Sequence, residues 1–438
     1  MFWRKKPEVL VVGAGPVGLF ASLLLARRGV RFQVVDKEWR TATRSYALAL
    51  HSESLQQFDQ LGLLDRVLEH ARRIRTLGIY RGNERSGEVR ISDLGEDYSF
   101  LAVLPQHQLE AILVHAIEEA GAKVEWNQEF ANFTMRGEKV SANLETWDKD
   151  SLGYAVSHTE WVLAKRRAVE ADFVIGADGH RSRVRQALGI DFSVVGEKKD
   201  FAVFEFATDA DLGSEMSLIL DRGTTSMCWP LPDGRCRWSF QIPHEDSFAT
   251  LREKDREVSR IGAELYPMLD RKHLLDLLEE RAPWFRGEVG DIEWRIMTSF
   301  TPRLAERFGK GRLWLAGDAG HVTSPVGMQS MNVGLREASD LVDSITGVLR
   351  GKIGAASLEQ YHRARRSEWE SLLGLETTLL PEPSADPWIG SIADSLLSCL
   401  PASGRDLSRL AGQLHLAPGP RTSGASNTHQ EPFHTPAD

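Results

Sequence analysis

Val9-Leu10-Val11-Val12-Gly13-Ala14-Gly15-Pro16-Val17-Gly18, followed by Gln33-Val34-Val35-Asp36, decides how this chain begins. Val9 to Val12 is a continuous apolar run, the pattern of a parallel strand buried on both faces. Val17 to Arg28 is helical in pattern and stops at Gly29, and Phe32 to Val35 reads as the next strand. Gly13 permits a tight turn out of the first strand, and Gly15 lets the backbone approach a pyrophosphate with no Cβ between. The amides that open the helix point at phosphates, with its positive end behind them. Asp36 ends the second strand, where a carboxylate accepts hydrogen bonds from a ribose diol and repels a 2′-phosphate. Gly13, Gly15, Pro16, Val17, Gly18, Asp36 and Lys37 are therefore expected to hold a dinucleotide.

Two later segments extend that site. Asp172-Phe173-Val174-Ile175-Gly176-Ala177-Asp178-Gly179 repeats an apolar strand that ends in a turn. Leu313-Trp314-Leu315-Ala316-Gly317-Asp318-Ala319-Gly320-His321 does so again and runs on through Pro325 and Gly327 to Met331 and Asn332. A carboxylate at Asp318 can bind ribityl hydroxyls, and the helix start after that loop can face the N1–C2=O edge of an isoalloxazine. Three such segments in this order predict an FAD-dependent oxidoreductase.

The bulk properties agree. The 438 residues suffice for about two or three domains. With 42% hydrophobic and 26% charged residues the composition is globular, and a net charge of −9 argues against a nucleic-acid binder. The basic clusters Arg4-Lys5-Lys6, Lys165-Arg166-Arg167 and Arg363 to Arg366 read as solvated faces. Cys228, Cys236 and Cys399 show no metal-like or redox-like spacing, so no metal site is expected and the thiols are expected reduced. Met1 to Pro7 is too short and too charged for a signal peptide, and no apolar run reaches the ~18–20 residues of a membrane span. The expectation is a soluble, cytoplasmic protein of unassigned oligomeric state.

Along the chain, strand–helix alternation gives way twice to short alternating runs. The predicted fold is α/β: a Rossmann-like FAD-binding domain with an inserted antiparallel-sheet substrate domain and C-terminal helices. The FAD-binding parts are expected at 1–74, 102–191 and 294–350, and the substrate domain at 75–101 and 192–293. C-terminal helices follow at 351–417 and a disordered tail at 418–438. Ser226 to Pro230 and Arg235 to Ile242, around Pro232-Asp233-Gly234, predict a hairpin. Helices are expected at Ser52–Leu61, Gln108–Ala120, Leu251–Arg281, Val333–Leu349, Leu358–Leu375 and Trp388–Leu400.

These residues resemble the class A flavoprotein monooxygenases, the aromatic-hydroxylase group typified by para-hydroxybenzoate hydroxylase, over roughly residues 8 to 375. Gly13, Gly15 and Gly18 match its dinucleotide fingerprint, and Asp178-Gly179, continued by Arg181 and Ser182, its Asp-Gly motif. Gly317-Asp318 match its Gly-Asp motif, and Pro325, Gly327, Asn332 and Gly334 the segment beside the flavin. The resemblance also places Gln106 and Arg44 at the cofactor. The usual Gly-Gly-Gln-Gly appears here as Gly327-Met328-Gln329-Ser330, an expected Asp is Glu337, and Tyr46 falls where one spacing expects the family's arginine.

The resemblance implies that NAD(P)H visits transiently to reduce FAD, and that O₂ adds at the flavin C4a position. The hydroperoxide would then transfer one oxygen to an aromatic or polyketide-like substrate. The alternative is an FAD-dependent reductase of isoprenoid double bonds, and Trp238 to Pro243 also resembles a stretch of flavin-dependent halogenases. Met227, Trp229, Trp238, Phe240, Pro325 and Met328 are the expected pocket residues. No base declares itself: His51, His107, His244 and His321 are candidates by type alone.

Overall fold

The computed structural model describes residues 6–41, 49–95, 97–152, 158–221, 223–243 and 269–421. Arg44, Tyr46, His244 and residues 251–268 of the expected Leu251–Arg281 helix lie outside them, as do residues 422–438.

A six-stranded sheet carries the three glycine segments. Its order is Gly309–Lys310, Leu313–Leu315, Phe173–Gly176, Val9–Val12, Phe32–Val35, Val124–Glu125, parallel except at the first pair. Val9, Leu10 and Val11 are fully buried because the sheet is covered on both faces. One cover is the Pro16–Arg27 helix, packed on the Gln106–Glu119 and Gln329–Leu349 helices. The other is a three-stranded antiparallel sheet of Glu129–Arg136, Lys139–Leu152 and His158–Ala171. The sequence reading missed that long hairpin, whose charged alternation resembles a loop.

A seven-stranded sheet lies beside this body in the order Ile292–Phe300, Lys199–Ala207, Arg235–Ile242, Thr224–Leu231, Glu215–Asp221, Thr76–Arg81, Glu84–Arg90. The expected hairpin is its centre, joined in register from Ser226↔Phe240 to Leu231↔Arg235. The boundary expected after residue 293 cuts through the Ile292–Phe300 strand, which pairs along Lys199–Phe206. Phe192–Val194, expected in this sheet, instead joins Arg303–Ala305 and His321–Val322.

The C-terminal region departs most from expectation. Trp388–Leu400 is two short helices, Pro387–Ser391 and Ala393–Leu397, because Ile392 leaves helical geometry at φ −108° and ψ 8°. An apolar face at helical spacing predicts burial, and Ile389, Leu396 and Leu400 are buried, but it does not require one continuous rod. The tail expected from Pro418 begins as a strand: Leu416–Pro420 pairs with Thr377–Pro381. Among the described residues no helix is long and apolar enough to cross a membrane.

Candidate active site

The strands ending at Val12, Val35, Gly176 and Leu315 bring their following turns to one edge of the parallel sheet. Gly13 adopts φ +108°, and a Cβ there would sit 2.1 Å from the Ala177 carbonyl oxygen. The first glycine turn is thus pressed onto the Ala177-Asp178 turn, a closeness no side chain allows. Gly15 behaves oppositely. It caps the Pro16–Arg27 helix without a side chain, and a Cβ there would meet nothing within 4 Å. That first turn carries no acidic residue, so the positive helix end faces an open cradle of the kind a pyrophosphate fills.

Asp36 is braced for the same groove. Its Oδ2 accepts from the Ala14 amide at 2.5 Å and its Oδ1 from the Glu38 amide at 2.8 Å. Lys37 is exposed beside it. Val17 wedges against the third motif, since a Cβ on Gly317 or on Gly334 would lie 3.0 or 2.8 Å from Val17 Cγ2. Asp318 stands exposed on that turn, with Ser330 Oγ donating to its Oδ1 at 2.5 Å. The bare helix end, the small residues at the turns and the two carboxylates fit an extended dinucleotide such as FAD.

Other expected cofactor residues are occupied. Asp178 accepts from Ser182 Oγ (2.6 Å) and the amides of Arg183 (2.7 Å) and Val184 (3.2 Å), so its carboxylate shapes its own turn. Burial pushes that carboxyl up, with these hydrogen bonds working against it. Gln106 Nε2 donates to Glu110 Oε1. Asn332 Oδ1 accepts from the His51 amide and Ser54 Oγ, and its Nδ2 donates to the carbonyls of Ala49 and Met328. All four hydrogen-bonding positions of that amide are therefore used within the protein.

A network that the residue types alone did not reveal supports the Gly317-Asp318 turn from behind. Glu337, fully buried, accepts from the Gly317 amide (2.8 Å), Trp369 Nε1 (2.7 Å) and His321 Nε2 (3.0 Å). Burial alone would raise the Glu337 carboxyl, but its contact with His321 and the hydrogen-bond donors hold it below the usual range. His321 is sealed between this carboxylate and Trp369, whose ring stacks on it at 3.7 Å. His51 is buried too, with Nε2 3.1 Å from the Gly327 carbonyl oxygen, and burial pulls its pKa down to about 3. His107 is exposed.

Between the seven-stranded sheet and the Pro325–Met328 loop lies a partly open cavity. Met227, Trp229, Pro325 and Met328 line it, with Met328 held at φ 51° where the Gln329–Leu349 helix begins. Trp238 and Phe240 do not line it. The register pairs Trp238 with Cys228 and Phe240 with Ser226, whereas Met227 and Trp229 pair with Ser239 and Arg237. Paired residues share a face, so Trp238 and Phe240 point away. They stack on each other at 5.2 Å and pack with Phe285 among the core residues that include Leu274 and Leu278 of the Arg271–Arg281 helix. Phe201, Trp294, Ile296 and Phe300 take their place in the cavity wall. Cys228 and Cys236 are free and buried on the far face. Arg237 is the only titratable side chain among the cavity's described lining residues, so neither His51 nor His321 reaches it as a base. Among the described residues no cluster could hold a metal ion.

Comparison with known proteins follows the same lines. The family described as an FAD binding domain matches residues 6–373. The chain is 30% identical over 363 residues to 6-methylpretetramide 4-monooxygenase of Streptomyces rimosus, covering 82% of this chain and 59% of that one. It is 26% identical to 3-(3-hydroxy-phenyl)propionate/3-hydroxycinnamic acid hydroxylase of Klebsiella pneumoniae subsp. pneumoniae, covering 89% and 65%. It thus spans less than two thirds of the length of both relatives. The crystal structure of p-nitrophenol 4-monooxygenase from Pseudomonas putida DLL-E4 has the same fold, with a TM-score of 0.67 at 20% identity and coverage of 93% and 94%.

Proposed function

The chain belongs to the FAD-binding-domain family, and from that premise we propose that it is a class A flavin-dependent monooxygenase that hydroxylates an aromatic or polyketide-like ring. The reductant is NAD(P)H, visiting transiently, and the oxidant is O₂. One observation carries this reading: the cavity is closed on one side by the loop that enters the Gln329–Leu349 helix and on the other by an aromatic sheet face. Such a site holds a flat apolar substrate against the edge where the flavin belongs. Gly15 and the helix start would hold the pyrophosphate, Asp36 the adenosine ribose and Asp318 the ribityl chain.

Bound FAD supplies the oxygen activation and transfer. The protein's part is to orient the ring and exclude water. Met227, Trp229 and Phe201 offer aromatic and thioether surface, and the buried position of Met328 keeps solvent from the loop side. The two relatives compared above are named a monooxygenase and a hydroxylase, which favours hydroxylation over reduction of isoprenoid double bonds.

The test is anaerobic reduction of the flavin-loaded protein by NADPH and by NADH, with and without a panel of phenols and polycyclic aromatics, followed by turnover under ¹⁸O₂. A ring compound that accelerates reduction and emerges with one ¹⁸O atom is the expected result. A reduced product carrying no label would overturn the monooxygenase reading.

A further inference from the structure

We propose that Arg237 reads the substrate in this cavity, selecting rings that carry a neutral oxygen acceptor, a carbonyl or a phenol, over ring carboxylates. The inference rests on the cavity being the substrate site. Its starting point is the strand register. Trp229 pairs with Arg237, Arg237 with Glu205, and Glu205 with Trp294, so four strands lay an aromatic, a cation, an anion and an aromatic in one row across the cavity-facing side of the sheet. The next row is Met227, Ser239, Val203 and Ile296, which holds one hydroxyl among three apolar side chains. Polarity is therefore concentrated at one end of the floor.

The Arg237 side chain is 3% exposed and that of Glu205 13%. Nε and Nη2 of Arg237 both donate to Glu205 Oε1, and the guanidinium carbon sits 4.7 Å from the centre of the Trp294 ring. A guanidinium has five N–H donors, and those on Nη1 are not among the bonds made to Glu205. Burial works against the Arg237 charge and Glu205 sustains it, so the guanidinium meets the cavity with its charge already balanced by a carboxylate that is not itself among the described lining residues.

That neutrality sets the selection. A carbonyl or phenol oxygen needs only a donor, which Nη1 can supply without changing the charge of the site. A carboxylate adds an uncompensated negative charge to an apolar enclosure and competes with Glu205 for the same guanidinium. An arginine without its partner would prefer the anion. With Glu205 in place it prefers the neutral acceptor.

The experiment uses three probes with one ring system, naphthalene, 1-naphthol and 1-naphthoate, titrated calorimetrically into the flavin-loaded protein at pH 7 without reductant. The native protein should bind 1-naphthol about tenfold or more tighter than 1-naphthoate. Glu205→Gln should shift that ratio toward the carboxylate by about tenfold or more. Arg237→Met should bring 1-naphthol down to the level of naphthalene. The apolar double variant Arg237→Met with Glu205→Met should still bind naphthalene, which separates loss of reading from loss of fold. Equal or tighter binding of 1-naphthoate to the native protein, or an unchanged ratio in Glu205→Gln, overturns the assignment of Arg237. Failure of all three probes to bind the native protein instead overturns the cavity as the ring site, and the selection falls with it.

Discussion

The seven-stranded sheet has two faces built from the same strands. On one, Trp238, Phe240 and Cys236 meet the Arg271–Arg281 helix and Phe285 in an aromatic core. On the other, Trp229, Met227 and Arg237 meet a loop that stops short of them and leaves a cavity. Both faces carry large aromatic side chains and both are buried: Trp229 is 1% exposed and Trp238 0%. Burial and residue type therefore do not distinguish a floor from a core. What lies opposite does, and the contrast between a sealed face and an open one recurs around the parallel sheet, at Gly13 against Gly15.

The largest expected effect probes the sealed face. Trp238→Ala should cost about 3–5 kcal/mol of stability in chemical denaturation, since the helix above can only partly collapse onto the gap. Ring binding per folded molecule should not change. If it does, the two faces are coupled and the contrast fails.

Trp229→Ala is the matching change on the open face. It should cost about 2 kcal/mol, less than its neighbour across the sheet because its ring already borders unfilled space. Calorimetric affinity for 1-naphthol should fall by about tenfold or more. A stability loss as large as that of Trp238→Ala, with binding intact, would mean that the cavity face is only core.

His51 tests the sealed side of the loop by pH. Unfolded, it titrates near 6.5; folded, burial holds it to about 3. Between those values the unfolded chain binds the extra proton, so stability is full above about pH 6.5 and falls as the pH drops. The slope is about 1.4 kcal/mol per unit, or about 2 kcal/mol by pH 5. Urea titrations of the native protein and of His51→Gln at pH 7 and pH 5 should show that part of the slope vanish in the variant.

The smallest change is at Gly15, where a methyl group has room inside the protein but not beside a pyrophosphate. Gly15→Ala should alter stability by no more than about 0.5 kcal/mol while lowering FAD affinity about tenfold. Unchanged affinity would place the phosphates elsewhere.

This division explains what the sequence revealed. The glycine turns were legible because each is forced by a local requirement at fixed spacing, a turn or a close approach. The hairpin was legible from Pro232-Asp233-Gly234. Trp238 and Phe240 were misplaced because alternation separates two faces without saying which one is covered, and Arg237 and Ser239 then look like the solvent side of a half-buried strand. Glu205 and Trp294 join that row only through strand pairings across some 30 to 90 residues, which no local pattern encodes. Glu337 was visible as a departure from a family pattern, but its partners come from Gly317, His321 and Trp369, brought together only by the fold.

The Pro325–Met328 loop has one further consequence, and it concerns time. Asn332 reaches back across 278 to 283 residues to Ala49, His51 and Ser54. Gln329 Nε2 reaches forward to the carbonyls of Leu397, Leu400 and Ala402, and a Cβ on Gly327 would lie 2.8 Å from the carbonyl oxygens of Ser398 and Leu400. Contacts so distant in sequence are closed late in folding. During synthesis the glycine turn at Gly13 to Gly18 gains its Ala177 neighbour long before the loop, which early residues touch through His51, gains its supports at Leu397, Leu400 and Ala402. The pyrophosphate cradle can therefore exist well before the ring site does, and a ribosome-stalled chain ending before Leu397 would hold the nucleotide end of its cofactor and leave the other end unhoused.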